Sequence, residues 1–361
     1  MNFRLPGPTP LPPPVLTAMQ GAMIPHRGDG MKTMYSSIMS RAKEIHQTDG
    51  DVFLWPASGS AGWEIAIVNL LSPGDPVLCT VVGDFGERFA KVAVVLGLDA
   101  RRVDIPWGKA LTPERLTNAL EQHPEVKAVF LTHNETSTGV TNPLAELAAV
   151  VRDHGALVVV DAVSSAGGLP LMTDQWGLDF VLSGSQKSWM CPPGLTITAI
   201  GPRAWDAYQH STFKRFFWDL GSAKQVAQHG MTPTTPPLTL FYAFDAALDM
   251  MLDEGVEQVW SRHAALGGRT RNGVASLGLQ LFAEDGYRSN TVTAITLPEG
   301  LSAKAITGQL EHEHNLIVGA GQGYLTDQMI RIGHMGWCSE ADIDDCLAAI
   351  GMVIDHQRDR S

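Results

Sequence analysis

Phe180-Val-Leu-Ser-Gly-Ser-Gln-Lys187-Ser-Trp-Met-Cys-Pro-Pro-Gly194 is the stretch that decides the fold. An apolar run breaks into a Ser/Gly turn, a single lysine follows, and a Pro-Pro-Gly turn closes the segment. A run this short, bounded by turn residues, reads as a buried strand, here Phe180–Ser183. Its neighbours along the chain repeat the pattern. Val52–Ala57, Pro76–Val82, Ala128–Thr132, Leu157–Asp161 and Leu195–Ile200 are apolar runs of the same kind. Ala61–Leu71, Glu87–Leu96, Pro113–Gln122 and Pro143–His154 carry helical patterning between them. Continuous apolar strands separated by helices predict an α/β fold, a mostly parallel sheet flanked by helices with right-handed crossovers. After the Pro-rich Met231–Pro237 the pattern changes. A long helix at about Thr239–Asp253, or extended beyond Gly255, leads to a strand at Thr291–Leu297. A helix at Ser302–Glu313, a strand at Met329–Ile332 and a closing helix near Ser339–His356 follow, a smaller C-terminal α+β domain. Prolines at 6, 8, 10, 12, 13 and 14 make residues 1–17 read as an extended arm without a helix. The expected division is an arm at 1–17, a large domain at 18–250 and a small domain at 251–361.

Lys187 follows Asp161 by 26 residues (187 minus 161), and Asp161 ends the run Leu157-Val-Val-Val-Asp161. A lysine in an enclosed turn, with a carboxylate at a neighbouring strand end, suits pyridoxal phosphate. The amine forms a Schiff base with the cofactor, and the carboxylate keeps the pyridine nitrogen protonated so that the ring accepts electrons. Taken singly, a loop lysine and a capping aspartate are commonplace; their spacing and setting together point to the cofactor.

Several blocks carry a resemblance. Gly7-Pro-Thr-Pro10, Ser58-Gly-Ser60, His133-Asn-Glu-Thr-Ser-Thr-Gly139, Val160-Asp-Ala-Val-Ser-Ser-Ala-Gly167, Ser183-Gly-Ser-Gln-Lys187 with Pro192-Pro-Gly194, and Arg331-Ile-Gly-His-Met-Gly336 run in order from end to end. Together they resemble the class V aminotransferases of the pyridoxal-phosphate fold type I superfamily, in particular the alanine–glyoxylate and serine–glyoxylate aminotransferases. The resemblance covers nearly the whole chain. It implies a transaminase that moves an amino group from a small L-amino acid, alanine or serine, to an oxo acid such as glyoxylate by a ping-pong mechanism. Other donors and acceptors of the group (ureidoglycine, pyridoxamine with pyruvate, aspartate) are the alternative. A lyase such as a cysteine desulfurase fits less well. Those enzymes typically place a histidine before the lysine, where this chain has Gln186, and they need a mobile reactive cysteine.

Site residues follow from position and resemblance together. Ser58, Gly59 and Ser60 lie between a strand and a helix, where backbone amides and the helix dipole favour a phosphate; a plain turn with an N-cap is the other reading. Phe85 would stack on the pyridine ring or simply pack in the core. Thr136 would offer a hydroxyl near the ring's phenolic oxygen, or belong to a capping cluster. Val163 would cover the ring face opposite Phe85, and Gln186 would reach the phosphate. Lys187 would also serve as the base that shuttles a proton, which requires an unprotonated amine. Arg331, on an apolar strand, would clamp a substrate carboxylate bidentately; a salt-bridge partner is the ordinary reading of such an arginine. The family often has a tyrosine shortly before the Thr-Pro segment, reaching across a dimer. Met231-Thr-Pro-Thr-Thr-Pro-Pro237 has none, leaving Thr235 as the cross-subunit phosphate contact. The roles of Arg4 and Arg27 are open.

Composition narrows the partners. The chain has 361 residues, 44% hydrophobic and 18% charged, with a formal net charge of −12. That acidity, spread along the chain with no tail, argues against nucleic acid and anionic membranes. No stretch approaches the roughly 20 apolar residues of a membrane helix, and the N-terminus lacks an apolar secretory core. Cys79, Cys191, Cys338 and Cys346 show neither paired nor metal-ligand spacing, so reduced, packed thiols in a cytoplasmic protein are expected. His312-Glu-His314 is too tight for a helix-borne zinc site, and no metal is expected. Small-molecule amino and oxo acids, and a second copy of the chain, are the expected partners.

Overall fold

The computed structural model describes residues 1–358, so the last residues of the expected small domain, 359–361, lie outside it. Its centre is a seven-stranded sheet in the order Asp51–Trp55, Thr196–Ile200, Phe180–Gly184, Leu157–Asp161, Ala128–Thr132, Pro76–Val81, Asp99–Asp104. All neighbours pair in parallel except Thr196–Ile200, which is antiparallel to both strands beside it. The pleat sends alternate side chains to opposite faces. Val158 and Val160 join one buried cluster with Ile38, Leu147 and Phe244, while Leu157 and Val159 join another with Ile65, Phe89 and Ala204. Two apolar layers on one sheet explain why these strands carry unbroken hydrophobic runs.

Asp99–Asp104 escaped the sequence reading. It is an edge strand, and its Asp-Ala-Arg-Arg-Val-Asp text has no apolar run because solvent covers much of it. Asp29–His46 is a helix whose buried Met31, Tyr35, Ile38, Ala42 and Ile45 follow helical spacing, a signal the reading left unused.

The second sheet has five strands, in the order Asn2–Arg4, Leu316–Ala320, Met329–Gly333, Val292–Thr296, Gln280–Leu281. Helices Val256–Ser276, Ala303–His314 and Glu340–Arg358 pack on it around Leu266, Ile306, Ile332 and Ile350. Two expectations need correction here. Residues 1–17 are not an arm without a helix: Asn2–Arg4 pairs in parallel with Leu316–Val318, and Pro13–Ala18 is helical. Proline is tolerated in a first helical turn, where the amide it lacks has no intrahelical partner anyway. The long helix also does not continue past Gly255. Leu238–Glu254 ends there, Gly255 takes φ 91°, and a separate helix starts at Val256.

His46, the last residue of its helix, is wholly buried, with neither ring nitrogen hydrogen-bonded, and lies 5.4 Å from the Trp189 ring. Burial lowers its pKa to about 4. The folded state therefore refuses a proton that the unfolded chain accepts below the ordinary value near 6.5. The native state loses about 1.4 kcal/mol per pH unit between those limits. Relative to His46→Leu, the wild type should lose roughly 2 kcal/mol more of its stability between pH 7.5 and pH 5. Urea unfolding of both proteins at the two pH values measures this, since every other titrating group is common to them. Parallel pH profiles would refute the assignment.

Candidate active site

In an open parallel sheet, loops at the carboxyl ends of the strands converge on one crevice. Five such loops supply the residues in question. Asp161 ends its strand buried, with both oxygens engaged: Trp63 Nε1 donates to Oδ2 at 2.8 Å and the Val163 amide to Oδ1 at 2.9 Å. Burial pushes its pKa up, while these bonds and the positive charge of Lys187 pull it back. Each carboxylate oxygen retains a second lone pair for a further donor. Trp63 was not foreseen; nothing in its surroundings in sequence marks a helix tryptophan as a carboxylate partner.

Lys187 follows the Phe180–Gly184 strand and is also buried. Ser185 makes the turn rigid. Its hydroxyl donates to the Pro192 carbonyl at 2.6 Å and accepts from the Leu195 amide at 3.1 Å. Burial first, then the Arg331 charge, lowers the Lys187 pKa to about 8, against a smaller upward pull from Asp161. Its Nζ donates to the Pro6 carbonyl. A methyl group on Gly7 would lie 2.5 Å from Lys187 Cδ and 2.6 Å from Nζ, and its φ of 100° strains any other residue, so glycine suits the position. Thr9 completes the strap, its amide donating to Gln186 O at 3.1 Å and its hydroxyl to Lys187 O at 3.0 Å.

Ser58, Gly59 and Ser60 precede the Ala61–Leu70 helix. Both serines are exposed, and the N-cap Ser60 makes no side-chain hydrogen bond to the helix. A methyl on Gly59 would come within 2.7 Å of Val163 Cγ2, which brings this turn against the residue two beyond Asp161. The Gln186 side-chain amide has its Oε1 buried without a hydrogen-bond partner among the described residues, and its Nε2 is the end that can donate to a phosphate. Phe85 and Val163 are half-buried and belong to the rim of the same apolar cluster, with Arg88 5.2 Å above the Phe85 ring. This donor set can receive a phosphate at a helix start and a flat ring between apolar side chains.

Arg331 comes from the Met329–Gly333 strand of the small sheet and is 8% exposed. Nε donates to Ala320 O at 2.9 Å, and Nη1 to Thr136 O at 3.1 Å and Gln322 Oε1 at 2.9 Å. All three acceptors are formally neutral. Its pKa falls to about 10 through burial, opposed by the charges of Glu135 and Asp84. Thr136 is buried and touches Arg331 through its carbonyl.

Thr235 is not brought to this group within the chain. It is exposed, on a segment whose Thr234 and Pro236 line a cleft with Trp55 and Pro56. Arg27 is exposed, and Arg4 is buried with its charge felt at Cys338 and Cys346. All four cysteines are buried and free. Among the described residues no cluster of His, Cys, Asp or Glu is arranged to hold a metal, and no helix is long and apolar enough to cross a membrane.

The family model described as aminotransferase class-V matches residues 2–344. A Synechococcus protein named soluble hydrogenase, small subunit, is 39% identical over 98% of this chain and 92% of its own. The serine–glyoxylate aminotransferase of Methylorubrum extorquens is 36% identical over 98% of this chain and 90% of its own. The crystal structure of an alanine–glyoxylate aminotransferase from Nostoc sp. superposes with a TM-score of 0.94 at 32% identity, covering 98% of this chain and 94% of that one. These matches, with the sheet order above, give the fold as the fold type I arrangement expected from the sequence.

Proposed function

We propose, because this chain belongs to the class V aminotransferase family and is a transaminase, that it transfers the amino group of a small neutral L-amino acid, alanine or serine, to glyoxylate. The observation that carries the reading is Arg331, a buried guanidinium that among the described residues donates only to neutral oxygens and has no carboxylate within ion-pair distance. A buried cation left so is unfavourable unless an anion arrives with the substrate. One such arginine suits one carboxylate. A donor with a second carboxylate would need another clamp; Arg4 acts on Cys338 and Cys346, Arg88 is paired with Asp84, and Arg27 is solvent-exposed.

Pyridoxal phosphate is the cofactor we assign, and the residues fit it: Lys187 for its aldehyde carbon, Asp161 for its ring nitrogen, Phe85 and Val163 for its faces. Ser58, Gly59, Ser60 and Gln186 would take the phosphate, and Thr136 the phenolic oxygen. When bound, the group supplies an electron sink for the carbon losing its proton. The chain's part is to orient and to move protons. Arg331 fixes the carboxylate, which presents the α-hydrogen to the Lys187 amine. With its pKa near 8, that amine is unprotonated in a useful fraction at neutral pH and can take the α-proton and return it elsewhere. Donor and acceptor carboxylates would use the same clamp in turn, which supports a ping-pong cycle.

A cytoplasmic homodimer with shared sites is part of this proposal. The exposed Thr235 and the 92% exposed Phe216 support a partner surface beside the Pro-rich segment, with Thr235 serving the partner's phosphate. A donor and acceptor panel tests the substrate reading. Alanine and serine should outperform aspartate and glutamate at least roughly a hundredfold in kcat/KM, the cost of burying an unpaired carboxylate. A preference for aspartate would overturn it and make Arg27 the candidate second clamp.

A further inference from the structure

Glu135 is fully buried, close enough to act electrostatically on Arg331 yet not in an ion pair with it. Its Oε1 accepts from the Ser137 amide at 3.0 Å, the Ser137 hydroxyl at 2.5 Å and the Phe85 amide at 3.4 Å, and its Oε2 from the Gly86 amide at 3.1 Å. Burial pushes the Glu135 pKa up, and each of these contacts is a donor aimed at the carboxyl that favours the ionised form and pulls it back. Two of the donors are first-turn amides of the Asp84–Val95 helix. A third such amide, that of Asp84, donates to Ser137 Oγ at 2.9 Å. The helix's own N-cap is Gly83, which has no side chain to do this. The cap comes instead from a loop 50 residues away in sequence. A methyl on Gly83 would lie 2.5 Å from Glu135 Cγ; its φ of 169° is ordinary extended backbone, so the need for glycine is steric.

Thr136 lies between the two capping residues, and its carbonyl accepts from Arg331 Nη1. The Glu135 and Ser137 side chains thus fix the orientation of the peptide that fixes the guanidinium. We propose that Glu135 is a positioning residue for substrate-carboxylate recognition, acting through Thr136 on Arg331 and sharing no bond with the substrate. The inference rests on the carboxylate role given to Arg331 above. Two effects of removing the Glu135 charge oppose each other. Loss of a nearby anion strengthens Arg331's attraction for a carboxylate. Release of the loop costs the Thr136–Arg331 hydrogen bond and the geometry of the clamp. The bond is direct, whereas the anion lies beyond ion-pair range, so positioning prevails.

The test is binding of propionate, a monocarboxylate with no amino or oxo group, to the cofactor-loaded protein by calorimetry. Glu135→Gln puts an amide N–H against backbone N–H groups and should weaken propionate roughly tenfold, the weight of one charge-assisted hydrogen bond. Ser137→Ala keeps the charge and should weaken it a few-fold. In an Arg331→Ala background Glu135→Gln should add less than about twofold, because the two act in series. Unchanged or tighter propionate binding in both single variants, with wild-type unfolding midpoints, would overturn the proposal. Should Glu135→Gln fail to fold, Ser137→Ala decides alone. Propionate binding insensitive to Arg331→Ala would sink the carboxylate clamp itself, a distinct failure.

Discussion

Lys187→Ala should abolish transamination, by at least about four orders of magnitude, while the protein still folds. Both tasks assigned to this side chain vanish together, the covalent link and the proton transfer. The fold should survive because the turn is held by other groups. Ser185 Oγ bridges Pro192 and Leu195, and Thr9 and Met190 donate to the Lys187 carbonyl whatever the side chain. A small cavity opens beneath Gly7, and its cost is offset by removing a buried amine whose charge is disfavoured there. Turnover assays with circular dichroism read both halves. Borohydride reduction of the wild type should trap the cofactor on Lys187 alone, and an adduct mapped to another lysine would remove the central claim.

Arg331→Ala is the second large effect. Donor and acceptor should each lose roughly two to three orders of magnitude in kcat/KM, as expected when one partner of a buried, hydrogen-bonded charge pair is truncated. Amines without a carboxylate should react as slowly as with the wild type, because they never used the clamp. That contrast separates a clamp from a residue that merely supports the strand. Equal losses for carboxylate-bearing and carboxylate-free amines would make Arg331 structural.

What was legible in the chain follows from where information is local. Strands buried on both faces write themselves as apolar runs, so Ala128–Thr132 and Leu157–Asp161 were read to the residue. Lys187, Asp161 and Arg331 stand in motifs, and the folded chain brings Asp161 and Arg331 within electrostatic reach of Lys187. The partners of these groups were not legible. Trp63 holds Asp161 from 98 positions away, and Glu135 caps a helix it does not belong to. Both depend on tertiary pairing, which leaves no periodicity to read. The helix at Pro13–Ala18 was missed for the opposite reason: its prolines were weighed as breakers, although a first turn accepts them.

The strap formed by the first nine residues bears on how the protein is made. Asn2, at the first strand, pairs with Leu316, and Pro6 and Thr9 close over Lys187. This segment is therefore translated 314 residues (316 minus 2) ahead of the strand it pairs with, and finds its place late. It must wait, unpaired, until Leu316–Val318 has been translated. Until then the pocket lacks one wall, and a nascent chain carrying the whole central sheet would still be catalytically silent.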